Sequence, residues 1–292
     1  MTTSFSQDLI NPLRKSPSHR LTAIVEMARL PVPARQPLLD GHAHTAWPLL
    51  NQPCFSNLRE MGPWLFAAEP DADLQRQYDF HRTLTDKAGD ALCGWLISAL
   101  PPAGLAAHLA QATTARGPDG HTYMLRFHTE LAFPVLHARH DLPGIGHLLA
   151  PVQSWWVTEP HPERKAWRHY PGYDQPRHAG VPLIELDQAC WDALAGDPLS
   201  YRLAEQLREP LTAAGMEENC HGTRLGLVGS LLREARAGGL TRPGDLADYV
   251  TLLALHGRKL RGIAAWQEAL AEARNDGQPL AQALKVRAFP NL

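Results

Sequence analysis

The chain has 292 residues, more than the usual single domain, which allows two lobes with separate cores. Its 28 Lys and Arg stand against 30 Asp and Glu, a net charge of −2 that gives no overall field for phosphates or anionic lipid, so nucleic acid is excluded as the main partner. No run approaches the roughly 18 to 20 apolar residues of a membrane span, so membrane contact is expected only through other proteins.

Residues 1–34 read as a polar arm with one short helix over Leu21–Leu30, where Leu21, Ile24, Val25 and Ala28 recur at helical spacing. The arm lacks an apolar leader, and Cys54, Cys93, Cys190 and Cys220 stand apart without a C-x-x-C pair. The expectation is a cytoplasmic protein with reduced thiols. From 35 to 160 the pattern predicts an α/β lobe with a mixed sheet, its strands at 37–41, 62–69 and 93–98. Helices are predicted over 74–88 and, after Pro101-Pro102, over 104–112. Gly117-Pro118-Asp119-Gly120 marks a hairpin at about 111–128, with Tyr123, Leu125 and Phe127 on one face and Thr122, Met124 and Arg126 on the other. A helix over 131–139 and a strand over 152–157 complete this lobe.

Five prolines between Pro160 and Pro182 break any apolar period, so 161–182 reads as a linker. Beyond a short run at Leu183–Leu186, residues 183–292 are predicted to form an all-α lobe. Asp187 is placed to cap a helix carrying Trp191 and Leu194, and another helix follows over 199–207. Helical spacing recurs through Leu225, Val228, Leu231, Leu232 and Ala235, through Leu246, Tyr249, Val250 and Leu253, and through Ile263, Trp266, Leu270 and Ala273. Gly238-Gly239 closes one of these helices and Thr241-Arg242-Pro243 opens the next.

Two histidines one residue apart, His42 and His44, can aim at one metal from the end of a strand, as in amidohydrolase-type metal-dependent hydrolases. Such an enzyme draws later ligands from the ends of further barrel strands, and the helical pattern after residue 190 supplies none. The alternative is a pair of loop-entry histidines among the chain's 15. His137, His140 and His147 read as a solvated helix face, and His161, His169 and His178 as linker residues. Gly144-Ile145-Gly146 and Gly226–Ser230 lack the context of a phosphate-binding loop, and Glu217-Glu218 reads as surface charge. Trp64, Trp95 and Trp191 are expected in the core. Trp155 and Trp156 hold successive strand positions, so one is expected to face in and one out. The outward ring, with Trp167, would suit a protein-binding patch, so Trp155, Trp156 and Trp167 are the residues expected to meet a partner.

The order of several segments carries a resemblance. These are Leu38–Gly41 (LLDG), Gly62–Leu65 (GPWL), Trp95–Ser98, Leu105–Leu109 (LAAHL), the Pro-Asp-Gly turn with Met124–Phe127 (MLRF), and Leu149–Trp155. Together they resemble the type VI secretion effector adaptor-chaperones, a family long described by a domain of unknown function and encoded between a VgrG spike protein and its toxin. The signature falls on Leu39, Asp40, Gly41, Gly62, Pro63, Trp64, Arg126 and Phe127, and Ala235–Gly257 is similar to the family's helical lobe. The family commonly follows its Arg-Phe with an aromatic and then Asp-Pro-Arg, whereas here His128-Thr129-Glu130 follows. The resemblance implies binding without turnover and without a cofactor, the α/β lobe contacting a cognate toxin effector that is then handed to VgrG. A metal-dependent hydrolase using His42 and His44, and a structural component of a secretion particle, are the other readings.

Overall fold

A central strand whose successive side chains are buried on both faces of its sheet explains the architecture of the first part of the chain. The computed structural model describes residues 5–163, 166–175, 180–216, 219–275 and 277–286. They divide into two compact units, one of residues 1–158 and 167–196, the other of 159–166 and 197–292.

The first unit opens with α1 (Phe5–Lys15), β1 (Arg20–Glu26), α2 (Val32–Asp40), β2 (Ala46–Pro48), β3 (Pro63–Ala67) and α3 (Leu74–Ala88). It continues with β4 (Leu92–Ser98), α4 (Pro102–Ala110), β5 (Thr114–Arg116), β6 (Thr122–Met124), α5 (Ala132–Ala138) and α6 (Ile145–Leu149). The chain then forms β7 (Val152–Glu159), β8 (Ala166–Pro171), β9 (Ile184–Glu185) and α7 (Gln188–Ala195). A six-stranded sheet runs in the order β2-β3-β1-β4-β7-β8, and a three-stranded sheet in the order β6-β5-β9. In the larger sheet β1 pairs antiparallel with β3 and β4, and β4 with β7. The smaller sheet is mixed, with β5 antiparallel to β6 and parallel to β9.

Helices cover both faces of the large sheet. Leu21, Ala23 and Val25 of β1 join Trp95, Trp156 and residues of α1 and α3 in one core. Ile24 joins Leu65, Leu96, Trp155 and residues of α4 to α6 in the other. This double burial corrects two expectations. Residues 20–26 are the third strand of the sheet and not a helix of a loose arm, because a strand buried on both faces shows an unbroken apolar run that also satisfies helical spacing. Trp156 is buried as well as Trp155, since α1 and α3 close the face expected to be open.

Two further corrections follow. Residues 37–41, predicted as a strand, end helix α2, which Pro33 starts within its first turn and from which Leu38 alone is buried. Part of the predicted linker is β8, the sixth strand of the large sheet, and Gly172 beyond it lies so close to β7 that a Cβ there would sit 2.0 Å from the Val152 carbonyl oxygen. Asp187 caps α7 as expected, accepting from the Cys190 N–H at 2.8 Å.

The second unit is helical: α8 (Pro198–Gln206), α9 (Arg208–Ala213), α10 (His221–Ala237), α11 (Pro243–Arg261), α12 (Ala264–Asn275) and α13 (Leu280–Val286). The predicted stripes on α10, α11 and α12 are its core: Leu225, Val228, Leu231 and Leu232, then Leu246, Val250 and Leu253, then Trp266 and Leu270. Gly239 follows α10 at φ +90, the left-handed conformation that ends helices, and Pro243 starts α11. No helix among the described residues is long and apolar enough to cross a membrane.

Candidate functional site

Strand β1 ends at Glu26 and turns at once into a single 3₁₀ turn, Met27–Arg29. The chain from 56 to 62 lies against that turn, with the Met27 N–H donating to the Gly62 carbonyl at 3.1 Å and the Ala28 N–H to the Met61 carbonyl at 2.8 Å. Position 62 admits only glycine without rearrangement, because a Cβ would meet Leu50 Cδ1 at 2.6 Å. From the other side comes the segment after β6, which the Leu125 N–H ties to the Thr113 carbonyl at 2.8 Å. These pieces enclose a groove of about 230 Å³. Leu50, Leu58, Met61, Met124 and Leu125 form its apolar walls, with Glu26, Arg126 and His128 also lining it. Leu58, Met61 and Met124 remain 38, 48 and 42 % exposed, so this is apolar surface left in water.

Glu26 is buried and accepts at one oxygen, Oε2, from Arg126 Nη2 at 2.8 Å and from His128 Nε2 at 2.9 Å. Burial pushes its carboxyl up, but the His128 hydrogen bond, the charge of that ring once acid protonates it, and the Arg126 guanidinium outweigh that and hold it at about 2. Glu26 is therefore ionised throughout the physiological range. Burial drives His128 the other way, below the ordinary imidazole range, against the pull of Glu26. The geometry agrees, since Nδ1 of His128 is buried with no hydrogen-bond partner and a proton there would have no acceptor. The ring is thus neutral and donates through Nε2. Two residues on, buried Glu130 accepts from Arg29 Nη2 at 3.2 and 3.3 Å. The Cys93 thiol, electrostatically coupled to these groups, is pushed up to about 12 by burial and stays protonated. The groove's charges are consumed by one another.

The signature residues divide. Gly62, Pro63 and Arg126 border the groove, and Phe127 is buried with its ring edge-on to Trp155 at 6.0 Å. The Trp64 ring donates to the Arg59 carbonyl at 3.0 Å. Leu39, Asp40 and Gly41 close α2, where Asp40 accepts from Gln36 at 2.7 Å and the Gly41 N–H donates to the Pro37 carbonyl, away from the groove lining. Of the three tryptophans expected to meet a partner, Trp155 and Trp156 are buried on opposite faces of the sheet, and half-buried Trp167 stacks on Phe5 at 4.9 Å.

Among the described residues the histidines do not assemble. His42 Nδ1 bonds the Leu38 carbonyl at 3.0 Å, and its ring stands edge-on to Phe66 and Phe80, while His44 is exposed. His137 bonds the Pro171 carbonyl, His140 the His137 carbonyl, and His169 the Ser154 hydroxyl; His147 is exposed and His161 accepts from the Glu163 N–H. His178, Glu217 and Glu218 lie outside the described residues. Among the described residues no three or more His, Cys, Asp or Glu are grouped to hold a metal ion. Sequence reasoning marked His128 and Glu130 only as a departure from the family pattern and missed Glu26, Leu58 and Met61; for Glu26 the available signal was a carboxylate closing the apolar run of β1.

Residues 22–145 match the model of a domain of unknown function, DUF4123, over less than half of the chain. The matched stretch runs from β1 into α6 and contains every residue that lines the groove. Comparison with curated proteins and with solved structures finds no match.

Proposed function

We propose that this chain is a cytoplasmic adaptor-chaperone of type VI secretion, which binds a cognate toxin effector, keeps it soluble and delivers it to the VgrG spike without making or breaking a bond. The observation that carries this reading is the groove: exposed Leu58, Met61 and Met124 around a floor whose ionic groups are already paired, inside the segment that matches DUF4123. Flexible methionines at an exposed apolar patch suit a surface that covers another protein's apolar segment and later lets it go. Glu26 is ionised and doubly bonded, His128 is neutral and donating, and Cys93 is a protonated thiol, so each group has a structural partner or is chemically quiet.

The test is co-expression of this chain with the toxin encoded beside it, with and without VgrG. A stable complex, and a toxin that becomes insoluble when this chain is omitted, are expected. A toxin equally soluble alone and never captured would overturn the proposal. Stoichiometric metal lost on replacing His42 and His44 by Ala would support the hydrolase instead, and large cargo-free homo-oligomers the structural particle.

A further inference from the structure

Strand β6 is an edge: the order β6-β5-β9 places β5 on one side of it and no described strand on the other. The phase of its ladder follows from three pairs. The Leu125 N–H bonds the Thr113 carbonyl and the Gly117 N–H bonds the His121 carbonyl, both at 2.8 Å, with Tyr123 opposite Ala115 midway between them. Bonded pairs in an antiparallel ladder recur at every second residue. Tyr123 and Leu125 therefore turn their main-chain groups toward β5, and Thr122 and Met124 turn theirs away. Thr122, Tyr123 and Met124 are all exposed, and Met124 is itself a wall of the groove.

A free strand edge thus runs into an apolar groove. Edges of this kind are templates for another strand, with main-chain bonds supplying affinity and side-chain pockets supplying choice. The groove's volume of about 230 Å³ exceeds the roughly 150 Å³ that accommodates a benzene-sized group, so it has room for a large apolar side chain. Charge selects the same occupant. Glu26 and Arg126 neutralise each other at 2.8 Å, so a charged side chain entering the groove would be desolvated without a counter-ion. The half-exposed Arg126 guanidinium has further N–H donors suited to a main-chain carbonyl.

We infer that an extended, uncharged apolar segment of the partner protein adds to β6 as a fourth strand of the small sheet, bonded to the main chain of Thr122 and Met124, with an apolar side chain in the groove. This rests on the adaptor reading above and names the kind of segment that the adaptor grips.

The test uses the full chain and the toxin encoded beside it, comparing wild type with Thr122→Pro, Thr122→Ala and Met61→Glu. Proline at 122 deletes an N–H outside the β5 ladder, so folding is expected to survive by circular dichroism while affinity falls about tenfold, near the value of one main-chain hydrogen bond. Alanine keeps the N–H and controls for loss of the threonine side chain, so proline is expected to bind about tenfold more weakly than alanine. A glutamate at 61 is expected to cost about a hundredfold, from an unpaired charge placed in the groove. If proline disturbs the hairpin, residue-resolved amide exchange of the wild-type complex decides: the Thr122 and Met124 amides become protected on binding, whereas Tyr123 is protected beforehand. Equal binding by the proline and alanine variants, or unprotected Thr122 and Met124 amides in a formed complex, overturns strand addition and leaves the adaptor reading standing. A wild-type chain that self-associates until proline is introduced also overturns it, by making the occupant a second copy. Failure of the wild type to bind the toxin removes the adaptor reading, and this inference with it.

Discussion

Replacing Glu26 by Gln should remove most of one limb of the acid sensitivity of the first unit. The carboxyl titrates at about 2 in the folded chain against an ordinary 4.5, a difference worth about 3 kcal/mol. Because the folded value is the lower one, that stability is fully present above 4.5 and is lost as pH falls from there toward 2. Glutamine keeps the shape of the side chain and forfeits the charge facing Arg126; the part of the shift owed to a charged His128 does not act at pH 7, so the variant is expected to be about 2 kcal/mol less stable there and equal to wild type near pH 2. His128 is held low by burial, so its contribution also falls with acid, beginning nearer the ordinary imidazole value of 6.5, and in the variant, without the upward pull of the Glu26 carboxylate, it is held lower still. Urea titrations at pH 7, 5 and 3 followed by tryptophan fluorescence report this unit, since seven of the eight tryptophans lie in it. At a slope of about 2 kcal/mol per molar urea the pH 7 midpoints should differ by roughly 1 M, and the gap should close on acidification. A gap that is absent at pH 7, or that stays constant down to pH 3 and below, would refute the ionised, doubly bonded Glu26.

Trp155→Ala should cost about 3 to 5 kcal/mol in urea unfolding because the ring is fully buried, whereas Trp167→Ala, at a half-buried ring that stacks on Phe5, should cost less, about 1 to 2 kcal/mol. Gly172→Ala should lower the melting temperature sharply, as its Cβ meets the β7 backbone, while Gly104→Ala in α4, whose Cβ finds nothing nearer than 4.0 Å, should be neutral or stabilising by up to about 1 kcal/mol. In native protein a thiol reagent at pH 8 should modify exposed Cys54 rapidly and leave Cys93 untouched until the chain is unfolded, with mass spectrometry of the labelled peptides as the readout.

Elements whose burial is one-sided were legible in the sequence. The helices α3, α10 and α11 and the hairpin of β5 and β6 stand where spacing and turn residues placed them, because each shows its own period or its own glycine and proline signals. Strand β1 was not legible: its apolar run is continuous, and only the pairing with β3 and β4 selects strand over helix. Strand β8 was masked by the prolines around it and by Trp167, Arg168 and His169, whose polarity suits an edge position. The groove was the least legible feature. Glu26, Met61 and His128 come from three distant segments, and no local pattern announces that a carboxylate at the end of one strand will meet an imidazole about a hundred residues later. The paired His42 and His44 drew attention by spacing alone, and the packing of the His42 ring on Phe66 accounts for one of them.

The proposed adaptor role is tested most directly in the cell that encodes this chain and the toxin proposed to stand beside it. The gene for this chain is deleted and secretion of the neighbouring toxin is followed, together with secretion of an unrelated toxin that uses another spike. Loss of the neighbouring toxin alone, restored by the wild-type chain and not by the Met61→Glu variant, is the expected result. Undiminished secretion of that toxin in the deletion strain would contradict it.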